Sequence, residues 1–154
     1  MTARNGSADW HGNLENGSGT VIVGEHIFEG PYSYQSRVGE ADGTNPEQLV
    51  ATGLAGCFTM GVAALLSTAG HAPTALRTRA RVQLRFLDGA PTLSRIDLDI
   101  EGQIAGVGEA LFVACAEEAK RTCPVARALA GVPEITLTAK LAELDPSSPV
   151  RPGD

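Results

Sequence analysis

The chain has 154 residues, 43% of them hydrophobic and 19% charged, which is enough for one domain with a real core and too little for two ordinary ones. Twelve Lys and Arg against eighteen Asp and Glu leave a net charge of -6, which argues against a general nucleic-acid backbone binder and against a basic membrane-surface protein. Three cysteines, Cys57, Cys115 and Cys123, are too few for a disulfide framework, and their odd number leaves at least one without an intramolecular partner.

Met1 to Asp9 carries no apolar run of the signal-peptide kind, and the weakly polar stretch from Val50 to Ala69 is broken by Thr, Gly and Ser. A cytoplasmic protein without a membrane span is the expectation. The first third is rich in Gly, Asn and Ser, and its short alternating pieces, Gly19 to Val23 and Pro31 to Val38, predict strands or hairpins. Gly39 to Thr44 is a polar turn. In Thr44-Asn45-Pro46-Glu47, Asn45 can cap a helix, Pro46 needs no amide partner in the first turn, and Glu47 suits the positive end of the dipole.

A helix from Pro46 to Ala69 follows, with Leu49, Val50, Leu54, Cys57, Phe58, Val62, Leu65 and Leu66 spread widely enough to predict a central helix enclosed on more than one side. Gly53, Gly56 and Gly61 each cost it about 1 kcal/mol relative to alanine, which points to close helix packing, with a loosened helix as the plain alternative. Gly70 ends it. Thr74 to Phe86 alternates, placing Ala80, Val82, Leu84 and Phe86 opposite Arg79, Arg81, Gln83 and Arg85. After an Asp88-Gly89 turn, Leu93 to Ile100 repeats the alternation, so the two strands form a hairpin with surface Arg and Asp on its wet face. Gly106 to Arg121 has a helical pattern, Val125 to Ala130 a shorter one, and Ile135 to Leu141 strand character. The proline-rich stretch from Asp145 onward reads as poorly ordered or laid over the surface.

His11, His26 and His71 stand at no compact ligand spacing with a cysteine, and no glycine-rich phosphate fingerprint is present, so no metal and no nucleotide is expected. Cys57 lies in the apolar central helix, where a buried inert thiol is the plain alternative to a reactive one. A reactive thiol needs a partner that favours thiolate. Arg37 can supply fixed positive charge, and Glu47 can orient its guanidinium, although each alone also reads as half of a surface salt bridge. Cys123, before Pro124 and a short helix, is either a structural cysteine or a thiol able to condense with a sulfenic acid. Cys115 reads as the structural, unpaired thiol.

Arg37, Gly43-Thr44-Asn45-Pro46-Glu47-Gln48-Leu49, Ala55-Gly56-Cys57-Phe58-Thr59-Met60 and Cys123-Pro124-Val125 together resemble the OsmC branch of the OsmC/Ohr family of thiol peroxidases, and the likeness runs from Trp10-His11-Gly12 to Leu141. It implies a flexible 1–9, a thiol peroxidase domain over 10–141 and a flexible tail over 142–154. The fold it implies is α+β: an intertwined homodimer with central helices enclosed by antiparallel sheets and two active sites at the subunit interface. By the same resemblance, Cys57 attacks the peroxide and becomes a sulfenic acid, and Arg37 stabilises the thiolate and positions the peroxide. Glu47 orients Arg37, Cys123 resolves the intermediate into a disulfide, and an external dithiol, in the family a lipoylated protein, restores the thiols without metal or organic cofactor. Organic hydroperoxides are the implied substrates, with hydrogen peroxide beside them. Leu54 and Phe58 are candidates for an apolar substrate pocket, and Leu54 departs from the branch, where His is frequent at this position. A non-enzymatic hydrophobic-ligand carrier or structural dimer on the same scaffold is the alternative, since fold does not fix chemistry.

Overall fold

A computed structural model describes residues 2–145 and 147. In chain order the elements are β1 (Gly6–Ala8), β2 (Ser18–Val23), β3 (Phe28–Ser33), α1 (Tyr34–Val38), α2 (Pro46–Thr68), β4 (Ala75–Leu87), β5 (Ala90–Gln103), α3 (Glu109–Thr122), α4 (Pro124–Ala128) and β6 (Ile135–Leu141). The class is α+β, as the resemblance implies. The chain divides into two compact units, residues 1–49 and 50–154, with the boundary early in α2.

The first unit is an antiparallel sheet in the order β1-β2-β3, followed by α1. Gly6–Ala8, within the 1–9 segment, pairs with Val21 to Val23 of β2. Pro31 to Val38, read from the sequence as one extended piece, is strand only as far as Ser33. There a capping box stops it: the Ser33 side chain accepts the Ser36 N–H at 3.0 Å while the Ser36 hydroxyl accepts the Ser33 N–H at 2.9 Å. Two orphan amides are thereby satisfied and a short helix starts. Arg37 therefore sits on α1, not at a strand end.

The second unit holds the rest of α2 and a sheet in the order β4-β5-β6. Asn45 caps α2 as expected, its Oδ1 accepting the Gln48 N–H at 2.9 Å. Within the helix Leu54, Phe58, Val62 and Leu66 recur every four residues and form one fully buried seam. They pack with Ile96, Leu98 and Ile100 of β5 and with Phe112, Ala116 and Ala119 of α3. Each of the larger of these side chains contributes roughly 2 kcal/mol by leaving water. By length and composition α2 suffices to cross a membrane, yet only 22% of its most apolar window is buried, and Met60 is 74% exposed. Within one chain the helix is thus buried along a single seam, not enclosed on several sides. Of its three glycines only Gly61 meets a neighbour, with a Cβ there lying 3.5 Å from that of Ala119, whereas Gly53 and Gly56 face open space.

β4 and β5 form the expected hairpin, joined at Asp88 and Gly89, whose positive φ values of 51° and 80° suit a tight two-residue turn. The register shifts between Gln83 and Leu84, so strict alternation breaks toward the turn and Phe86 is 73% exposed instead of joining the core face. β6 departs from the all-antiparallel expectation. The chain crosses back through α3 and α4, which brings β6 in parallel to β5 with Ile96 opposite Ile135. Asp97, read from the sequence among the surface charges, is only 6% exposed. Arg81 donates to it at 2.7 Å, Arg95 at 2.6 Å and Thr136 at 2.8 Å, tying all three strands. Leu144 is buried and its N–H donates to Gln103 at 3.0 Å, while 146 and 148–154 of the expected tail lie outside the described residues.

Candidate active site

In the first unit, α1 and the start of α2 are pinned together by short polar side chains. The Ser36 hydroxyl donates to the Thr44 carbonyl at 2.8 Å, and the Asn45 amide donates to the Ser36 carbonyl at 3.0 Å. That lock sets Arg37 beside Glu47. Arg37 donates from Nη2 to Oε1 at 2.7 Å and from Nε to the two carboxylate oxygens at 3.1 and 3.3 Å. The fork geometry fixes the guanidinium plane as a lysine could not. Glu47 is nearly buried, with 11% of its side chain exposed, while Arg37 keeps 38%. Glu47's hydrogen bond raises the arginine further above its ordinary value, so the group is a permanent, oriented cation with an open face.

In the second unit, the thiols are placed by helix geometry. Cys57 precedes Phe58 of the buried seam, and a rotation of 100° per residue leaves it at the edge of that seam, half-buried. Pro124 positions Cys123: a residue before proline is driven out of the helical region, and Cys123 adopts φ −56°, ψ 121°. It ends α3 by donating its N–H to Ala119 at 2.8 Å and caps α4 by accepting the Arg127 N–H at 3.0 Å. Its side chain is turned inward, 3% of the residue is exposed, and its Sγ lies 3.1 Å from the Sγ of Cys57. The Ala126 N–H approaches the same sulfur at 3.5 Å. Burial is the largest influence on Cys123 and pushes its thiol upward, against the lowering pull of the Ala126 amide.

Two pairs that the sequence singles out are therefore assembled, Arg37 with Glu47 and Cys57 with Cys123. Cys115 is on α3, half-buried against the core, and eight residues from Cys123, about 12 Å of helical rise. Leu54 and Phe58, the pocket candidates, are fully buried core residues and meet no open space. Sequence reasoning missed the Ser33–Ser36 box and the Ser36–Thr44 bond that hold Arg37, although serines three residues apart before a helical turn carried the signal. Among the described residues, no group of three or more His, Cys, Asp or Glu could hold a metal ion.

The OsmC-like protein family matches residues 39–138. Peroxiredoxin OsmC of Escherichia coli (strain K12) is 34% identical over 139 residues, covering 90% of this chain and 96% of the relative. An OsmC-like protein from Mycoplasma pneumoniae shares the fold with a TM-score of 0.73 at 19% identity, over 92% of this chain and 99% of that one. An organic hydroperoxide resistance protein from Elizabethkingia anophelis does so with a TM-score of 0.70 at 23% identity, over 93% and 99%. With the family's match spanning most of the second unit and a curated relative aligned along nearly the whole length, this chain belongs to the OsmC-like family.

Proposed function

We propose that this chain reduces organic hydroperoxides, and hydrogen peroxide beside them, through a sulfenic acid on Cys57 and a Cys57–Cys123 disulfide. That it is a peroxide-reducing enzyme rests on 34% identity to a peroxiredoxin over 90% of the chain. The observation that carries the mechanism is the 3.1 Å separation of two sulfurs 66 residues apart in sequence. The Cys57 thiolate attacks the terminal oxygen of the hydroperoxide, an S–O bond forms, the O–O bond breaks, and the alcohol leaves. Cys123 then attacks the oxidised sulfur and displaces its hydroxyl, closing the disulfide before a second peroxide raises the sulfur to sulfinic acid. An external dithiol, by family resemblance one carried on a lipoylated protein, reopens it by exchange.

Arg37 favours the thiolate and aligns the peroxide, with Glu47 holding its plane. By family resemblance the site is built where two copies meet, so that an arginine held by Glu47 serves the thiol of a second copy. A homodimer also gives the uncovered side of α2 a partner. Three free thiols suit a reducing compartment, and we assign the protein to the cytoplasm. Leu54 and Phe58, the apolar side chains offered for a pocket, are consumed by the core, which supports the enzyme reading over a ligand carrier. The test is turnover of an alkyl hydroperoxide with a dithiol reductant: the wild-type chain and Cys115→Ser consume it, and Cys57→Ser does not. Wild-type turnover by Cys57→Ser would overturn the mechanism.

A further inference from the structure

The same pair of sulfurs raises a question that the resolving role of Cys123 leaves open: which sulfur holds the proton before peroxide arrives. Burial argues for Cys123, which is 3% exposed where Cys57 is half-buried, so a charge on Cys123 would lie further from water. The Ala126 N–H donates toward the Cys123 sulfur and pulls the other way, but among the described residues the acceptor within reach of a Cys123 S–H is the Cys57 sulfur at 3.1 Å. The upward push of burial on the Cys123 thiol has the same sense.

We propose that Cys123 acts in the first chemical step as well as the second, as the proton donor that holds Cys57 ready and then supplies the leaving alkoxide. The inference rests on the peroxidase reading above and deepens it. The electron pair of Cys57 S⁻ forms the bond to the terminal peroxide oxygen, the O–O pair departs with RO⁻, and RO⁻ takes the proton of Cys123 to become ROH. Cys57 is oxidised by two electrons to the sulfenic acid, the peroxide is reduced, and the charge moves to Cys123 as a thiolate. That thiolate then attacks the Cys57 sulfur, the S–S bond forms, and hydroxide leaves. Proton transfer thus makes the resolving thiol a nucleophile only when there is something to resolve, which suits a sulfur otherwise buried and protonated.

A single-turnover experiment separates this role from resolution, because formation of the sulfenic acid does not require a resolving cysteine. Wild type, Cys123→Ala and Cys123→Ser are mixed with one equivalent of tert-butyl hydroperoxide in a stopped-flow quench, and oxidised Cys57 is quantified by peptide mass. Loss of the donor in Cys123→Ala is expected to slow Cys57 oxidation by about a hundredfold or more, the lower range of acid catalysis. Cys123→Ser, which keeps a donor at that place, is expected to recover part of the loss. A purely packing role would penalise a buried serine hydroxyl at least as much as alanine. Oxidation of Cys57 in Cys123→Ala at the wild-type rate, or in Cys123→Ser no faster than in Cys123→Ala, overturns the proposal while leaving the peroxidase reading intact. Failure of wild-type Cys57 to oxidise at all would overturn both.

Discussion

At the scale of single residues, geometry separates groups that the sequence presents as equals. Three cysteines look alike in composition, but Pro124 turns Cys123 inward toward Cys57, while Cys115 stays on the body of α3. The Arg37–Glu47 fork makes a demanding prediction. Arg37→Lys keeps the charge and loses the planar fork, so kcat/KM for an alkyl hydroperoxide should fall by about tenfold or more with little change in Tm. Asp97 makes another. Hydrogen bonds from Arg81, then Arg95 and Thr136, hold its carboxyl far below the usual carboxylate range. Such a group contributes stability that is fully present above its unfolded value, about 4, and is lost as pH falls through the lower folded value. Asp97→Asn should therefore cost about 2 kcal/mol at neutral pH and flatten the acid limb of a Tm-against-pH curve.

At the scale of elements, long periodic segments were legible and short contextual ones were not. The cap at Asn45, the start at Pro46 and the strand at Ile135–Leu141 follow from local chemistry, and so does the Asp88-Gly89 turn. α1 escaped because five residues carry too little period, and because its start depends on a reciprocal serine pair rather than on an apolar pattern. The parallel entry of β6 escaped for another reason: alternation defines faces within a strand and says nothing about the direction of its neighbour. The glycines of α2 remain an element-scale test. In an isolated helix Gly53→Ala and Gly56→Ala would each stabilise by about 1 kcal/mol. If a second copy packs closely there, they should instead lower Tm and make it more dependent on protein concentration in thermal melts.

At the scale of the whole molecule, the site residues come as two pairs, one in each unit, and α2 carries one member of each. The residue types were readable because bidentate charge pairing and thiol exchange tolerate few substitutes, but their pairing across 66 residues was readable only through family resemblance. Complementation tests the dimeric assembly. Arg37→Ala and Cys57→Ser are each expected to be weak or dead, and mixing them after subunit exchange should restore about a quarter of the wild-type sites if the arginine acts across the dimer. No recovery would place both groups within one chain. The most direct test of the central claim is peptide mapping, with free thiols blocked, after one equivalent of an alkyl hydroperoxide. The account predicts loss of two hydrogens in the intact mass and a Cys57–Cys123 crosslink, and unoxidised thiols or a crosslink through Cys115 would contradict it.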